Sequence, residues 1–264
     1  MTDPFAQFKA VQREAWSHFA PLAAFTTMPA ADLVRFAEVE TGQSLLDVAC
    51  GTGVVSVTAA RLGARVRALD LSPALLEHAR TNAEIAGTTI AFIEGDVEAL
   101  PYEDDTFDVV LSQFGHMFAP RPDVAVSEML RVLRPGGRIA FSTWPPDQIL
   151  GRIFGLVSRY MPPPLGVAAP PAWGDPSIVA ERLGASVKDL HFGRGLLQRP
   201  VLSPQHHRTE MEGTSGPVRT LIGKLASEPE KLAAFRAELE ALVAAYIVDN
   251  AVQQHYLMTR ATKV

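Results

Sequence analysis

The chain has 264 residues, of which 47% are hydrophobic and 20% are charged, and its formal net charge is −5 at pH 7. This composition is ordinary for a globular protein, and the length suits one large domain or a domain with an appended cap. The negative charge and the lack of a basic run argue against a nucleic-acid surface, which needs clustered Lys and Arg. A lone cysteine, Cys50, excludes an intramolecular disulfide framework.

The first residues do not resemble a targeting segment. The stretch MTDPFAQFKA has no basic region followed by an apolar core, so we do not interpret it as a signal peptide. No apolar run approaches the ~20 residues needed to span a bilayer. We therefore expect no membrane span and a cytoplasmic location. Apolar residues at helical spacing between Phe5 and Phe25 predict a helix packed on the domain.

A glycine-containing turn organises the next part of the chain. After a helix predicted over Asp32 to Glu40, the apolar run from Leu45 to Ala49 predicts a buried strand, although Asp47 interrupts it. The run ends at Gly51-Thr52-Gly53, and residues 54–62 then have apolar residues at helical spacing. The glycines therefore lie between a strand and a helix. There they let the backbone approach a ligand closely, beside the free N–H groups of the helix start.

An acidic residue follows the next strand. The apolar run from Val66 to Leu69 ends at Asp70, which is placed to accept hydrogen bonds from both hydroxyls of a ribose. Ser72-Pro73 predicts the start of a helix, with Ser72 as its N-cap. A third strand is predicted over Ile90 to Ile93, and Gly95-Asp96-Val97 follows it. This arrangement predicts a binding site for a nucleoside cofactor.

Two further strands are predicted in the middle of the chain. Phe107 to Leu111 predicts the fourth strand, and Arg138 to Trp144 the fifth, with a helix over Arg121 to Arg134 between them. The loop from Ser112 to Phe118 leaves the carboxyl end of the fourth strand. Doubly wound sheets bind ligands at that end, so we expect this loop to contact both the cofactor and a substrate.

The C-terminal part is less regular. Met161 to Pro176 is rich in proline and is predicted to be an irregular insertion. The pair His206-His207, taken with His191, fits no metal-ligand spacing, so no metal is predicted. One strand is predicted over Leu190 to Pro200. Helices are predicted over Gln148 to Tyr160, Pro176 to Leu183 and Ser227 to Val248, the last with a capping box and an apolar face that suits either a core or a dimer interface.

Four segments between Leu45 and Trp144 together resemble the class I S-adenosylmethionine-dependent methyltransferases: LDVACGTG, VRALDLSPALLEHAR, FIEGDVEALPYEDDTFDVVLSQF and EMLRVLRPGGRIAFSTW. The resemblance implies an α/β, Rossmann-like, doubly wound sheet of seven mostly parallel strands. The last strand would be antiparallel, adjacent to the sixth, and formed by Gln254 to Lys263. The whole chain, 1–264, would be one domain, with an N-terminal helical lid in 1–40, a cofactor-binding core in 41–147, and an acceptor lid and C-terminal elements in 148–264.

The resemblance also implies a cofactor, S-adenosylmethionine, and its product S-adenosylhomocysteine. Asp70 would hold the ribose, Leu71 would lie against the adenine, and Asp96 and Val97 would bind the adenine edge. Asp47 would brace the turn or meet the amino group of the cofactor through water. The full set of cofactor-binding residues that we predict is Asp47, Ala49, Cys50, Gly51, Gly53, Asp70, Leu71, Asp96, Val97, Ser112, Gln113 and Phe114.

The predicted reaction is in-line methyl transfer to a small-molecule acceptor, such as the quinols and sterols that similar enzymes methylate. The lid or pocket residues would be Trp16, His18, Met117 and Trp173. His116 is the candidate general base, because an imidazole near the methyl group could take a proton from the acceptor. Alternatively His116 only shapes the pocket, and the rate comes from proximity and orientation.

Two other functions are consistent with the same residues. An NAD-dependent oxidoreductase would share the glycine turn and the ribose acid, but Ser56 stands where the dinucleotide motif has a third glycine. A non-catalytic S-adenosylmethionine-binding protein would look the same over Leu45 to Trp144 and would lack an acceptor pocket. The sequence is compatible with a monomer or a homodimer.

Overall fold

The computed structural model describes residues 3–264. Its strands form one mixed sheet, and their bounds are β1 Ser44–Val48, β2 Arg65–Asp70, β3 Ala91–Glu94, β4 Phe107–Gln113, β5 Leu133–Thr143, β6 Val187–Pro200, β7 Ile247–Val248 and β8 Ala251–Lys263. The strand order is β3-β2-β1-β4-β5-β8-β6, and the two-residue β7 pairs with β8. Strands β1 to β5 are parallel, whereas β8 is antiparallel to both β5 and β6. This arrangement confirms the predicted fold class.

Helices cover both faces of the sheet. Their bounds are α1 Ala6–Trp16, α2 Thr27–Phe36, α3 Val54–Arg61, α4 Pro73–Ile85, α5 Pro122–Val132, α6 Ile149–Tyr160, α7 Pro176–Leu183, α8 Pro204–Thr214, α9 Gly216–Leu225 and α10 Pro229–Ala244. Short 3₁₀ helices lie at Ala20–Thr26, His116–Phe118, Pro170–Gly174 and Gly184–Ser186. Within residues 3–264, no helix has the length and apolar composition needed to cross a bilayer.

The central strands are apolar on both sides because both sides are buried. Leu45 of β1 packs into the core formed with α2 and α3, whereas Leu46 and Val48 pack into the core formed with α5 and α7. Successive side chains of a strand point to opposite faces, so a strand between two helical layers needs a nearly continuous apolar run. Asp47, on the same side as Leu45, is the exception and faces α3, where it accepts a hydrogen bond from Ser56.

A second group of helices packs beyond the sheet. Helices α6, α8, α9 and α10 share a hydrophobic cluster, to which α10 contributes Phe235, Leu239 and Val243, each fully buried. The apolar face that the sequence assigned either to a core or to a dimer interface is therefore covered within this chain. The β7–β8 hairpin that follows α10 turns at Asp249 and Asn250, both with positive φ, as a two-residue turn requires.

Several predicted boundaries were wrong. Helix α2 spans Thr27–Phe36 rather than the expected Asp32 to Glu40, and α8 and α9 were not predicted. Helix α10 begins at Pro229 without a side-chain cap, so the expected capping box at Ser227 does not form. Proline at the first helical position has the φ of a helix and needs no N–H partner there, which explains the later start.

The order of the strands creates the crevice in which a ligand can bind. The chain runs from β1 outward to β3 and then crosses to β4 on the other side of β1. Loops after β1 and β4 therefore diverge to opposite faces of the sheet. In open α/β sheets this switch point, at the carboxyl ends of the strands, is where ligands bind.

Candidate functional site

The turn after β1 has a left-handed backbone conformation at three positions. Ala49, Gly51 and Gly53 have φ angles of 53°, 56° and 78°. A Cβ atom on Gly53 would lie 3.1 Å from the Cβ of Ala79 in α4, so this position combines positive φ with close packing. Gly53 directly precedes α3. The free N–H groups of that helix therefore lie beside the turn.

Asp70, at the end of β2, is buried and bound to the turn. One carboxylate oxygen, Oδ2, accepts a hydrogen bond from the N–H of Gly51 at 2.8 Å, and Oδ1 accepts one from the N–H of Ser72 at 2.8 Å. Burial raises the pKa of Asp70, while these N–H groups act in the opposite direction. Each oxygen retains a lone pair, and the residue lines the cavity described below. Asp70 can therefore accept two more hydrogen bonds from a ligand.

Asp47 has one carboxylate oxygen without a partner. It is fully buried, and Oδ2 accepts a hydrogen bond from the Ser56 hydroxyl at 2.5 Å. Oδ1 has no hydrogen-bond partner among residues 3–264, and Asp47 is one of the residues that line the cavity. Burial raises the pKa of Asp47 to about 7, even though the hydrogen bonds from Ser56 lower it. A cationic or hydrogen-bond-donating ligand group would satisfy this oxygen.

Asp96 is bound to the N-terminal helix. The ammonium group of Lys9 in α1 lies within 2.7 Å of carboxylate oxygens of Asp3, Asp96 and Glu98. Burial acts to lower the pKa of Lys9, but the hydrogen bonds to these three carboxylates outweigh it, and the pKa is raised. The Lys9 cation thus occupies the centre of an acidic cluster and ties α1 to the loop after β3.

Further contacts hold the N-terminal segment over the crevice. The Gln12 side chain donates to the carbonyl of Phe118 at 3.0 Å, and Gln113 donates to the carbonyl of Thr26 at 2.9 Å. The ring centroids of Trp16 and Phe118 are 4.7 Å apart. Residues 6–26 therefore cover the loops that follow β3 and β4.

One cavity of about 220 Å³ lies between these elements. Its first end lies where the neighbouring strands β1, β2 and β3 end, and contains Asp47, Asp70 and Asp96 and the glycine turn. Its second end is largely apolar, and its aromatic residues are Trp16, Phe19, Phe25, Phe114, Phe118, Trp144 and Phe154. Phe114 and Trp144 stack with ring centroids 3.9 Å apart. A polar, carboxylate-rich end thus opens directly into an aromatic end.

Most of the predicted cofactor-binding residues line this cavity. They are Asp47, Ala49, Cys50, Gly51, Asp70, Leu71, Asp96, Val97, Gln113 and Phe114. Gly53 and Ser112 do not line it. Gly53 packs against α4, and the Ser112 hydroxyl is buried, donating to the carbonyl of Val48 at 2.7 Å. Burial raises the pKa of the Cys50 thiol well above its usual value, which does not suit a nucleophile.

The structure places His116 away from the cavity. Its ring lies 4.6 Å from Phe141 and 4.7 Å from Trp173, between centroids, and the residue is 1% exposed. Burial, followed by the nearby charge of Arg182, lowers the pKa of His116 to about 3. His116 does not line the cavity, whereas a general base must lie within hydrogen-bond reach of the proton that it takes. The position does not suit the predicted general base, so the alternative structural role is the better description.

Three of the four predicted lid or pocket residues also lie elsewhere. Trp173 is fully buried beside His116, and the Arg182 guanidinium lies 4.5 Å from its ring centroid. Met117 is buried in the hydrophobic core formed with α5 and α7, and His18 lies at the surface near Glu14. Among the four, only Trp16 lines the cavity. No residue of the proline-rich insertion, 161–176, lines the cavity, and Trp173 near its C-terminal end packs into the core.

Sequence reasoning missed residues that reach the cavity from distant parts of the chain. Phe25 comes from the N-terminal 3₁₀ helix, Phe154 from α6, Arg199 from β6 and Gln254 from β8. Gly115 was also missed: a Cβ there would lie 2.5 Å from the Cβ of Ala49, so only glycine allows the two loops to meet. No local pattern marks these positions, because each depends on how separate elements pack.

Comparisons with known proteins identify the family. Residues 46–141 match the model of a family described as a methyltransferase domain. An uncharacterized protein of Mycobacterium tuberculosis is 35% identical over 233 residues, covering 88% of this chain and 85% of that protein. A demethylmenaquinone methyltransferase of Clavibacter sepedonicus is 40% identical over 128 residues, 47% of this chain and 51% of that protein. The chain belongs to the S-adenosylmethionine-dependent methyltransferases.

The fold of this methyltransferase also resembles that of a solved structure. A candidate methyltransferase of Bacillus halodurans superposes with a TM-score of 0.60 at 21% identity, covering 89% of this chain and 98% of that chain. The family match runs from β1 into β5 and includes the glycine turn, Asp70 and Asp96. Phe25, Trp144, Phe154 and Arg199 lie outside it. The polar end of the cavity is therefore built from the family region, and much of the aromatic end is not.

Proposed function

We propose that this methyltransferase transfers a methyl group from S-adenosylmethionine to a small aromatic acceptor. One observation carries the proposal: a single cavity joins the carboxylate-rich end at the glycine turn to an end lined by seven aromatic side chains. A ligand in the polar end would expose its reactive group toward the apolar end. Flat aromatic walls favour an aromatic partner there, through apolar burial and ring contacts.

The chain offers suitable groups for each part of the cofactor. Asp70 would accept hydrogen bonds from the ribose hydroxyls, since each of its oxygens retains a lone pair. Leu71, Asp96 and Val97 line the wall on which the adenine would lie. The unpartnered Oδ1 of Asp47 would bind the amino group, whose positive charge compensates the buried carboxylate.

The rate enhancement would come from positioning and from exclusion of water. When bound, S-adenosylmethionine supplies an electrophilic methyl group, and the sulfonium sulfur keeps the bonding electron pair as the acceptor atom takes the methyl. The stacked Phe114 and Trp144 rings form a rigid wall for the acceptor. The N-terminal segment excludes water and holds the acceptor in line with the methyl. A phenol-type acceptor would bind as its anion, after releasing its proton to bulk water, so no base is needed from His116, which the core encloses.

The first acceptors to test are reduced naphthoquinones and naphthols. The relative from Clavibacter sepedonicus is named for a quinone substrate, and such fused rings match the aromatic end of the cavity. Transfer would be followed as radioactive methyl passing from S-adenosylmethionine into an organic extract. Calorimetric titration with S-adenosylmethionine, S-adenosylhomocysteine and NAD would run in parallel.

A pair of variants separates the cavity from the surface. Phe25→Ala removes an aromatic wall residue, whereas Phe192→Ala removes a phenylalanine that is 40% exposed on β6. Phe25→Ala should raise the KM for a naphthol acceptor by about tenfold, and Phe192→Ala should leave it unchanged. Binding of NAD in place of both adenosyl ligands, or cofactor binding with no transfer to any aromatic acceptor, would contradict the proposal.

A further inference from the structure

Arg199 is a buried cation at the aromatic end of the cavity. It lies on β6, is 5% exposed and lines the cavity together with Leu197, two residues earlier on the same face of the strand. Its guanidinium carbon lies 5.4 Å from the ring centroid of Phe25 in the N-terminal segment. A charged group is costly to bury in apolar surroundings unless it is paired. Its presence in this wall therefore needs an explanation.

The partners of Arg199 within the chain do not use its full capacity. Its Nη2 donates to Glu210 in α8 at 3.0 Å, and its buried Nε–H has no acceptor among residues 3–264. Glu210 itself is partly exposed to solvent, with 34% of its side chain accessible. A guanidinium has five N–H donors in a planar fork that matches two oxygens of an anion. The Nε–H remains available to a ligand.

The rest of the aromatic end contains no opposing charge. Among the described residues that line the cavity, the other ionisable ones are Asp47, Cys50 and Asp70 at the glycine turn and Asp96 with its partner Lys9, so Arg199 is the one at the aromatic end. His207 of α8 is fully buried and does not line the cavity, and burial together with the Arg199 charge lowers the pKa of His207 to about 3. Glu210 pairs with Arg199 but does not line the cavity, so the charge that this end presents to a ligand is positive, which favours an anionic ligand.

We propose that Arg199 selects the acceptor, which is a planar aromatic molecule carrying an anionic oxygen such as a carboxylate, phenolate or enolate. This inference depends on the proposed function, because it places the acceptor in the aromatic end. The anion binds the free N–H donors of Arg199 while its ring lies among the aromatic walls. An acceptor that binds as an anion also explains why this end of the cavity lacks a protein base.

The test uses two probes that differ in charge and little else, 1-naphthoate and 1-naphthamide. Each is titrated calorimetrically into the 264-residue protein saturated with S-adenosylhomocysteine. The wild-type protein should bind 1-naphthoate more tightly than 1-naphthamide by about tenfold or more, since the anion gains charge-assisted hydrogen bonds. Arg199→Gln should lose this preference. Arg194→Gln, an exposed arginine on the same strand, should keep it.

Controls distinguish the possible failures. The affinity of Arg199→Gln for S-adenosylhomocysteine should match that of the wild type, which shows that the fold and the polar end are intact. If Arg199→Gln does not fold, two measurements replace it. The wild-type protein should still prefer 1-naphthoate, and Arg199→Lys, which lacks the planar fork of donors, should show a smaller preference. Equal binding of the two probes by the wild type, a preference that survives in Arg199→Gln, or no binding of either probe would overturn the inference. A wild-type protein that fails to bind S-adenosylhomocysteine would overturn the proposed function itself.

Discussion

Asp47 should make cofactor binding depend on pH near neutrality. Its carboxyl is fully buried, and burial raises its pKa to about 7 despite the hydrogen bonds from Ser56. One oxygen has no partner within the described chain, so the group pairs with a cation only in its ionised form. Below pH 7 the carboxyl of the free protein is protonated. Binding a cationic amino group must then release that proton, which weakens the observed affinity.

The size of the effect follows from the pKa. With a value of about 7 in the free protein, the ionised fraction falls about tenfold for each pH unit below it. The affinity for S-adenosylhomocysteine should therefore fall by about 50- to 100-fold between pH 7.5 and pH 5, provided that the amino group keeps Asp47 ionised in the complex. Asp47→Asn should bind more weakly at pH 7.5, by about 1.5–3 kcal/mol, because it loses a charge-assisted hydrogen bond.

The assay is calorimetric titration at several pH values, with the melting temperature measured at each one to confirm folding. Asp47→Asn should flatten most of the pH dependence, and any remaining slope reports Asp70, whose pKa burial also raises. Ser56→Ala should shift the midpoint to higher pH, because the Ser56 hydroxyl lowers the pKa of Asp47. A wild-type affinity that does not change between pH 7.5 and pH 5, or an Asp47→Asn variant with the full wild-type slope, would refute the reasoning.

Three further predictions concern other buried groups. Asp70→Ala should weaken S-adenosylhomocysteine binding by about 1.5–3 kcal/mol in calorimetry, and unchanged affinity would contradict its role. Lys9→Met should lower the free energy of unfolding by about 2–4 kcal/mol, since three carboxylates lose a buried cation and Arg121 still pairs with only two of them, Glu98 and Asp3; the exposed Lys188→Met should not, in parallel denaturant titrations. His116→Phe should lose less stability than the wild type on going from pH 7 to pH 5. The pKa of His116 is about 3 in the folded protein and ~6.5 in the unfolded chain, so only the unfolded chain takes up this proton between pH 7 and pH 5. The free energy of unfolding of the wild type therefore falls by up to about 2 kcal/mol over that range. Equal losses in the two proteins would show that His116 takes up its proton normally.

The polar end of the cavity was predictable because it depends on short-range order. The glycine turn, Asp70 and Asp96 each directly follow a strand, and the carboxyl ends of parallel strands lie at one edge of a sheet. Identifying the strands is therefore sufficient to bring these residues together. Asp47 could be assigned to the turn, but its unpartnered oxygen could not be foreseen, because hydrogen-bond satisfaction depends on every neighbour in three dimensions.

The positions of the His116 and Trp173 side chains could not be predicted, for the opposite reason. His116 follows β4, and Trp173 lies in the expected insertion. The two side chains nevertheless pack together in the core, because a loop can direct a side chain to either side of the backbone. The direction that a loop residue faces is set by the packing of its neighbours rather than by its position after a strand.

By itself, the sequence determined the fold class, the strands β1 to β5 and the polar end of the site, because hydrophobic periodicity and turn residues act locally. Only the tertiary structure decided the aromatic end. Phe25, Phe154, Arg199 and Gln254 come from four separate elements and are brought to one cavity by long-range packing. The spacing of these residues along the chain does not predict that they lie close together. Their proximity depends on how the N-terminal segment, α6 and the antiparallel strands pack against one another.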